Sequence, residues 1–435
     1  MKLGVISLGC DKATVDSEAL IARFVGHGAE LTHALDDADV ILVNTCGFID
    51  TAKKESIDAM LQATQYKKDG RCQAVVAVGC LVTRHKEELK LEIPEVDYFY
   101  GFADLPGLMP QMKADGLLDD PVATHPGMRF FFGDKPHVRY MKISEGCDHT
   151  CAFCAIPLMR GKHRSRPVEE LVREAQELEA QGALEINLVA QDLGHYGRDT
   201  THDARLTDLI RTLLKETSIP WYRPLYMYSM GITRELVELW ASEPRLVPYI
   251  DMPIQHGNDR MLKLMRRPER KDTIRTKVAW LREAIPDIAV RTTTLVGFPT
   301  ETEGEFQELL DFVEEIQFDR LGVFPYSPQE GTRAAELTDD VPDTVKRDRV
   351  EQVTELQRAV SGERLVRFIG QELDVLVDEG AAAGDPGQLI GRTAFQADDV
   401  DGCTWLRTRA AIAPGDFVRS RVVETLDYDL IAEPV

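Results

Sequence analysis

Three continuous apolar runs within the first 80 residues each lead directly into a cysteine. The run GVISLG precedes Cys10, the run VILVNT precedes Cys46, and the run AVVAVG precedes Cys80. Such runs, each followed by a helical pattern, are typical of strands buried on both faces of a parallel sheet. Ligands of these sheets bind beyond the carboxyl ends of the strands. A single cysteine there is most often a small core residue, but three in the same position predict a shared thiol site.

The sequence pattern divides the chain into α/β parts. Residues 1–120 hold the parallel sheet, and a Pro-rich passage with Pro121, Pro126 and Pro136 is interpreted as the crossover to residues 133–360. The helices of the first part are expected over 15–27, 51–69 and 82–91. The strands of the second part are expected at 137–143, 184–190, 221–227, 249–254, 289–296 and 319–325. Six strands that alternate with helices predict a partial (βα)6 barrel.

The last part of the chain, residues 361–430, has a different pattern. Short alternating runs such as LDVLV, TWLR and FVRSRV are separated by Gly, Pro and Asp. This pattern predicts a small antiparallel β-barrel. The fold class is therefore α/β, with an open parallel sheet, a partial barrel and a small all-β module.

The composition is that of a globular protein without a membrane segment. No run approaches the roughly 18 to 20 apolar residues of a transmembrane helix, and the first residues enter a strand without a signal-peptide pattern. We therefore expect a cytoplasmic protein. In that compartment, the eight cysteines indicate metal binding or redox chemistry rather than a disulfide framework. The isolated Cys72 and Cys403 are expected to be bystanders.

The strongest motif is EGCDHTCAFC, which follows the first strand of the predicted barrel. Its cysteines, Cys147, Cys151 and Cys154, have the spacing C-x3-C-x2-C. Three thiolates on a loop at the catalytic face of a barrel can hold three irons of a four-iron cluster, which leaves the fourth iron without a protein ligand. Such an open position distinguishes a reactive metal site from a closed structural one. The alternative is structural zinc with His149 as fourth ligand; otherwise His149 is expected to be exposed on the loop.

The motif and the order of the parts resemble a known family. C-x3-C-x2-C after the first strand of a βα barrel is similar to the radical S-adenosylmethionine enzymes. With the upstream thiols and a C-terminal barrel similar to a TRAM module, the whole chain resembles the methylthiotransferases. The segments SLGC with VDSE, VNTCGFID, KISEGCDHTCAFCAIPLMRG and SRP resemble the members that modify a ribosomal protein. Asp11 and Ala13, and the pair Gly257-Asn258, depart from that group's usual residues but leave all six thiols in place.

The resemblance implies two [4Fe-4S] clusters and S-adenosyl-L-methionine as cofactors. The cluster of the C-x3-C-x2-C motif would chelate S-adenosylmethionine and, once reduced, yield a deoxyadenosyl radical. That radical would take a hydrogen from the β-carbon of an aspartate on small-subunit ribosomal protein S twelve. The cluster at Cys10, Cys46 and Cys80 would supply the sulfur, and a second S-adenosylmethionine would supply the methyl group. An external electron donor would be needed for the reduction.

Further polar residues follow the predicted barrel strands, on the catalytic face. The candidates to contact cofactor or substrate are Gln191, Asp192, Gln255, His256 and Tyr326. The alternative for each is a loop-capping or solvated residue. Gly297 in LVGFP would bring the backbone close to the adenosyl group of S-adenosylmethionine, or would only form a tight turn between strand and helix. Arg160 and Arg166 are candidates to pair with a carboxylate, although most surface arginines do not.

Charge favours a protein over RNA as the substrate. The chain has 51 Lys and Arg against 73 Asp and Glu, and residues 361–435 have 14 acidic residues against seven arginines and no lysine, a net charge of −7. RNA binding depends on neutralising phosphates, so we do not expect the C-terminal module to bind RNA directly. An acidic face would instead steer a basic ribosomal protein, free or on the small subunit, toward the barrel. Solubility alone is the simpler explanation of the acidity.

Three alternative functions stay open on the residues alone. The same chemistry acting on a tRNA base is the nearest one. An iron–sulfur electron carrier or assembly protein would hold clusters but would not cleave S-adenosylmethionine. A zinc-bearing ribosome-binding module would be colourless and would hold no acid-labile sulfide.

Overall fold

The computed structural model describes residues 1–121, 128–200, 204–380 and 388–435. By their contacts they form two compact units. Unit 1 consists of Met1–Gly133, Glu145–Asp148 and Cys154–Arg164, and unit 2 consists of Asp134–Ser144, His149–Phe153 and Ser165–Val435. The three-part boundaries inferred from the sequence stay a prediction, and Pro126 of the expected crossover lies outside the described residues.

Unit 1 is built on a parallel sheet. Its strands, as far as the chain is described, are β1 (Lys2–Ser7), β2 (Glu30–Leu31), β3 (Val40–Thr45), β4 (Ala74–Gly79) and β5 (Tyr98–Tyr100). Their order in the sheet is β2-β1-β3-β4-β5, and every pair is parallel. The helices of the unit are α1 (Asp11–Gly26), α2 (Asp50–Asp69), α3 (Cys80–Glu92), α4 (Leu108–Ala114) and α5 (Ile156–Arg160). The predicted parallel sheet is thereby confirmed.

Strands β3 and β4 are buried at every position because helices cover both faces of the sheet. Ile41 and Val75 belong to one apolar core, with residues of α2 and α3. Leu42 and Val76 belong to the other, with residues of α1 and α4. Helix α1 begins at Asp11 rather than at the predicted residue 15, because the extended residue before it serves as its N-cap.

Unit 2 contains the predicted six parallel strands. Within the described ranges they are β6 (Val138–Lys142), β9 (Glu185–Val189), β10 (Trp221–Pro224), β11 (Tyr249–Asp251), β12 (Ala289–Val296) and β13 (Arg320–Pro325). They form two sheets, in the orders β10-β9-β6 and β11-β12-β13. A parallel bridge between Tyr222 and Leu246 connects β10 to the segment that enters β11. This arrangement confirms a partial parallel barrel.

Helices cover the outside of these strands. They are α6 (Val168–Ala180), α7 (Leu206–Glu216), α8 (Arg234–Ser242), α9 (Asp259–Leu264), α10 (Lys271–Ala284), α11 (Glu303–Ile316) and α12 (Asp343–Leu365). Two short strands, β7 (Ser144–Glu145) and β8 (Arg164–Ser165), flank the cysteine loop in the sequence. No helix in the part of the chain that the structure describes is long and apolar enough to cross a membrane.

The C-terminal strands close into a small barrel. They are β14 (Glu372–Glu379), β15 (Gln388–Thr393), β16 (Thr404–Arg407), β17 (Phe417–Thr425) and β18 (Leu430–Pro434). The barrel order is β14-β15-β16-β18-β17, and β16 pairs with β18 in parallel. The predicted small β-barrel is confirmed, and its strand pairs are antiparallel except for this one. A closed ring with an odd number of strands cannot alternate direction throughout, so one pair must be parallel.

This C-terminal module covers the amino-terminal ends of the partial barrel. Glu185, the first residue of β9, is fully buried and bonds Arg223 at 2.7 Å and Arg392 of the module at 2.7 Å. Arg392 also bonds Asp378 at 2.7 Å, and Asp378 is 3.1 Å from His137, which precedes β6. Each buried charge in this chain of ion pairs faces an opposite one, as burial in a low dielectric requires.

We predict that Asp378→Asn destabilises the module by about 3 kcal/mol at pH 7, because it breaks a buried ion pair. Burial opposes the charge of Asp378, but His137 and Arg392 lower its pKa to about 2. A lowered carboxyl pKa stabilises the fold above the unfolded value of 3.8, and this contribution is lost as the pH falls toward 2. The difference between parent and variant should thus be constant above about pH 5 and shrink below pH 4.

Urea unfolding measures this difference. It is followed by tryptophan fluorescence, because Trp405 lies in the module and its emission responds when the module unfolds. Glu424→Gln is the matched control, since Glu424 pairs with Arg407 at 3.0 Å on the surface and should cost under about 1 kcal/mol. Equal costs for the two amide variants would contradict the buried-pair argument.

Candidate metal and cofactor site

The three N-terminal thiols lie at the carboxyl ends of neighbouring strands. Cys10 follows β1 and caps α1, Cys46 follows β3, and Cys80 opens α3 directly after β4. Burial raises the pKa of Cys46, and the charge of Cys10 raises it further. Burial also raises the pKa of Cys80 to about 11, and the charges of Cys10 and Cys46 add to this, whereas Arg160 lowers it. The three sulfurs are thus near enough to affect one another's ionisation.

These donors suit a cluster better than a single ion. A tetrahedral zinc site would hold its sulfurs about 4 Å apart, given Zn–S bonds of about 2.3 Å. Among the described residues, the group of His, Cys, Asp and Glu ligand atoms that lies within 4.8 Å is His149, Asp192 and His195, and it contains no thiol. Cys10 is exposed and Cys46 and Cys80 are half-buried. Neighbouring thiolates repel one another, and iron would stabilise them by supplying positive charge.

Two glycines let the backbone segments that carry Cys46 and Cys80 approach each other. A Cβ on Gly47 would lie 3.2 Å from the carbonyl carbon of Cys80. Gly79 has a φ of +100°, and a Cβ there would collide with the side chain of Asn44. Only glycine adopts this conformation without strain and leaves the space open.

A buried hydroxyl holds the backbone of Cys46 in place. Ser56, on α2, is fully buried. Its oxygen accepts a hydrogen bond from the Cys46 amide at 2.9 Å and donates one to the Cys46 carbonyl at 2.9 Å. Ser56 is a positioning residue for this thiol, because it satisfies both polar backbone groups of the residue that ends the strand run.

Arg160, at the end of α5, is the cation near the N-terminal thiols. Its side chain is only 2% exposed, and it pairs with Asp16 at 2.9 Å and Glu145 at 3.0 Å. The guanidinium carbon lies 4.6 Å from the ring centre of Phe102. Burial opposes its charge, yet the two carboxylates and the charges of Cys80 and Cys10 keep its pKa above the usual value. The sequence suggested that Arg160 pairs with a carboxylate. It did not predict that Arg160 is buried or that it lies near the N-terminal thiols.

The C-x3-C-x2-C loop is divided between the two units. In unit 1, the Cys147 amide donates to the Gly161 carbonyl at 3.1 Å, and Cys154 lies just before α5. Gly146 has a φ of +74°, and a Cβ there would collide with the carbonyl of Lys162. A glycine is therefore required beside the first thiol of the motif.

In unit 2, two polar side chains lie within hydrogen-bond distance of the sulfur of Cys151, which is 8% exposed. The hydroxyl of Tyr228 lies 3.2 Å from it, and a guanidinium nitrogen of Arg267 lies 3.7 Å from it. Arg267 is almost fully buried and is neutralised by Glu269 at 2.6 Å. Its guanidinium carbon lies 3.7 Å from the ring centre of Tyr228.

His149 is half-buried rather than exposed, which corrects the sequence-based expectation. Its Nε2 is 2.7 Å from Asp192 Oδ2. Its ring stacks on Tyr228 with centroids 4.1 Å apart and planes 6° apart. The expectation failed because the partners, Asp192 and Tyr228, follow two different barrel strands and are distant in the sequence. Asp192 also accepts from the amides of Gly194 at 3.0 Å and Tyr228 at 3.3 Å, so it organises this end of the barrel.

The other candidates after the barrel strands differ in their surroundings. Gln191 follows β9 and is half-buried. Gln255 has a φ of +70° and pairs its backbone with β12 through Thr293 and Leu295. Tyr326 packs in an apolar cluster, and its buried hydroxyl has no hydrogen-bond partner within the described ranges. Burial raises the pKa of Tyr326 to about 12.

Three further candidates have contacts that serve the fold. His256 is fully buried, with its Nε2 3.1 Å from Glu301 and its Nδ1 accepting from the Asn258 amide at 3.0 Å. Arg166 pairs with two carboxylates of α6 and donates to a backbone carbonyl at 2.8 Å. Gly297 has a φ of +70°, and a Cβ there would collide with Lys346. These contacts favour a tight turn at Gly297, and its contact with S-adenosylmethionine stays a prediction.

Sequence reasoning missed three residues around the thiols. Tyr228 follows β10 by only a few residues, so the rule that selected Gln191 and Asp192 applies to it as well. Arg267 lies beyond α9, and Ser56 lies inside α2. No local pattern distinguishes these two from ordinary helix or loop residues.

Three family matches cover most of the chain. Residues 2–101 match the uncharacterized protein family UPF0004, residues 141–313 match the radical SAM superfamily, and residues 369–435 match the TRAM domain. The chain is 44% identical to the ribosomal protein uS12 methylthiotransferase RimO of Anaeromyxobacter sp. (strain Fw109-5), over 99% of this chain and 92% of that protein. It is also 44% identical to the protein of the same name from Geobacter sulfurreducens, over 99% of this chain and 98% of that protein.

The chain belongs to the RimO family of methylthiotransferases. It is therefore a radical S-adenosylmethionine methylthiotransferase, and membership implies S-adenosylmethionine and iron–sulfur clusters as cofactors.

Solved structures share the fold of this RimO family member at low sequence identity. The radical S-adenosylmethionine methyltransferase TsrM from Kitasatospora setae superposes with a TM-score of 0.56 and 14% identity, over 75% of this chain and 74% of that one. The cobalamin-dependent radical enzyme OxsB gives a TM-score of 0.51 and 14% identity, over 81% of this chain and 56% of that one. At this identity the likeness concerns the fold alone.

We predict that Ser56→Ala in this RimO family member lowers the free energy of unfolding by about 1 to 3 kcal/mol, because it leaves two buried backbone groups without their partner. Reconstituted protein should also hold less iron at the N-terminal thiols, since Cys46 would lose its fixed position. Chemical denaturation and iron analysis measure the two effects. Ser242→Ala is the control. The Ser242 hydroxyl also donates to a backbone carbonyl, at 3.1 Å, but Ser242 is exposed. An unchanged stability and iron content in Ser56→Ala would refute the positioning role.

Arg160→Met should lower the free energy of unfolding by about 3 kcal/mol, because Asp16 and Glu145 would both lose the buried guanidinium that pairs with them. Arg211→Met removes an arginine of a surface pair, to Glu235 at 2.7 Å, and should cost under about 1 kcal/mol. Denaturant unfolding of the metal-free protein compares the two. If Arg160→Met lowered the free energy of unfolding no more than Arg211→Met does, the buried arginine would stabilise unit 1 no more than a surface arginine does.

Proposed function

We propose that this protein attaches a methylthio group to the β-carbon of an aspartate on ribosomal protein uS12. The observation that carries the proposal is the match to RimO proteins over nearly the whole chain, together with thiols at both expected places. The relatives are named ribosomal protein uS12 methylthiotransferases, and the β-carbon of an aspartate as the acceptor is part of the proposal. A cytoplasmic location and an external one-electron donor belong to the same proposal.

The two thiol trios would hold two [4Fe-4S] clusters. Bound S-adenosylmethionine and the clusters supply radical, sulfur and methyl chemistry that no side chain provides. The C-x3-C-x2-C thiols would hold the cluster that binds S-adenosylmethionine, and the thiols after β1, β3 and β4 would hold the sulfur-supplying cluster. The protein contributes thiols held at the carboxyl ends of strands, and polar groups after the barrel strands.

Among those polar groups, Gln191 and Gln255 are the best candidates to contact S-adenosylmethionine or substrate. Both follow barrel strands, and within the described ranges neither side-chain amide makes a hydrogen bond to the protein. Asp192 and His256 are held by hydrogen bonds within the protein, so we assign them positioning roles. Tyr326 offers a buried hydroxyl that would lack a partner until a ligand supplies one.

The ion pairs of the C-terminal module favour a protein substrate over tRNA. Arg407, Arg419 and Arg421 pair with carboxylates on the module's own surface. Arg392 is buried in the ion pairs with Asp378 and Glu185. Arginines that are already neutralised release few counterions on binding phosphates, so the module is poorly suited to RNA.

The test is to incubate the reconstituted protein with S-adenosylmethionine, reductant and either uS12 or tRNA. We expect uS12 to gain the mass of one methylthio group in place of one hydrogen, and tRNA to stay unchanged. Modification of tRNA alone would overturn the substrate assignment. Clusters without any deoxyadenosine would favour the electron carrier, and colourless protein without sulfide would favour the zinc module.

Cysteine variants separate the two proposed clusters. Cys151→Ala should abolish both deoxyadenosine formation and methylthiolation. Cys46→Ala should retain deoxyadenosine formation and lose sulfur transfer. Cys72→Ala is the control, because that buried cysteine belongs to the apolar core of unit 1. Loss of deoxyadenosine in Cys46→Ala would contradict the division of roles.

A further inference from the structure

Three side chains of unit 2 form a stack beside Cys151. The imidazole of His149 lies on one face of the Tyr228 ring, and the guanidinium of Arg267 lies 3.7 Å from the centre of that ring. The stack is anchored by Asp192, which bonds His149 at 2.7 Å, and by Glu269, which bonds Arg267 at 2.6 Å. Its members come from the cysteine loop, from the segment after β10 and from the segment after α9.

The stack directs two donors at one sulfur. The hydroxyl of Tyr228 is 3.2 Å from Cys151 Sγ, and Arg267 Nη1 is 3.7 Å from it. When Cys151 is a thiolate, the sulfur can only accept, so the tyrosine hydroxyl donates. Arg267 has a side chain only 1% exposed, and its Nη2 donates both to Glu269, at 2.6 Å, and to the carbonyl of Pro253, at 2.7 Å. Because the two acceptors fix Nη2 of this buried guanidinium, Nη1 stays directed at the sulfur.

We propose that Tyr228 and Arg267 set the reduction potential of the cluster that Cys151 would ligate, and hold this thiolate to the barrel. The inference rests on the proposed function, in which that cluster accepts one electron from an external low-potential donor before S-adenosylmethionine is cleaved. Reduction adds negative charge to the cluster and its thiolates. Hydrogen bonds to a ligating sulfur stabilise that added charge and raise the potential.

The two residues are therefore positioning residues rather than catalytic ones. They touch a ligand of the cluster, and their effect reaches the reaction through the ease of reduction. Removing the tyrosine hydroxyl leaves the ring in its stack between His149 and Arg267, so Tyr228→Phe changes the donor without opening a cavity. Arg267→Lys keeps the charge but loses the planar guanidinium that stacks and bonds at the same time.

The experiment uses the full chain with Cys10, Cys46 and Cys80 replaced by Ala, so that one cluster is observed. Tyr228→Phe and Arg267→Lys are introduced into this background, and the midpoint potential is measured by redox titration with electron paramagnetic resonance. Electron–nuclear double resonance in D2O detects exchangeable hydrogens near the reduced cluster. Tyr222→Phe is the control, because its hydroxyl bonds Thr217 at 2.7 Å in the helix-facing core.

We expect Tyr228→Phe to shift the midpoint potential to a more negative value. For this one-electron couple, a tenfold fall in the ratio of reduced to oxidised cluster at a fixed solution potential corresponds to a shift of about 59 mV. One exchangeable-hydrogen signal should disappear at the same time, and Arg267→Lys should shift the potential in the same direction. Tyr222→Phe should match the parent. An unchanged potential and unchanged hydrogen signals in Tyr228→Phe, with the cluster loaded as in the parent, would overturn the inference and leave the proposed function standing. A parent that binds no cluster would instead overturn the proposed function.

Discussion

Parallel strands bring the residues that follow them to one edge of a sheet, and the candidate sites of this chain depend on that geometry. In unit 1, three neighbouring strands each end at a thiol, at Cys10, Cys46 and Cys80. In unit 2, Asp192 and Tyr228 follow the neighbouring strands β9 and β10. Residues far apart in the sequence therefore meet without any long loop. This geometry requires neighbouring backbone segments to approach each other closely, and glycines therefore lie next to the thiols.

Buried charge is the second constraint, because each thiolate raises the cost of the next. Burial raises the pKa of Cys46 and of Cys80, so these two thiols resist ionisation in the metal-free protein. Arg160 offsets part of this cost, and bound metal would offset the rest. Metal affinity and fold stability are linked under such conditions, since ligands that repel one another in the empty protein become attractive once iron is present. The carboxylate partners of Arg160 prevent its charge from being unpaired when the thiols are protonated.

The sequence was sufficient for features that depend on local periodicity. The six barrel strands and the three helices after the thiols were found because apolar runs and helical spacing are local signals. The contacts of His149, Tyr228 and Arg267 were not found, since they join segments that the sequence does not place side by side. The parallel pair in the C-terminal barrel was missed for a similar reason: alternation marks a strand but not its direction. The burial of Arg160 depends on Asp16, which is also remote in the sequence.

The position of the C-terminal module limits what its acidity can do. Its ion pairs and apolar contacts cover the amino-terminal ends of the barrel strands, through Glu185, Trp221 and Tyr249 among others. The candidate residues of the barrel follow the opposite, carboxyl-terminal ends. Charges separated by more than a Debye length, about 8 Å at physiological salt, are largely screened from each other. The module's net negative charge would therefore act on the encounter with a basic partner, and on its rate, rather than on the chemistry at the carboxyl-terminal ends of the barrel strands.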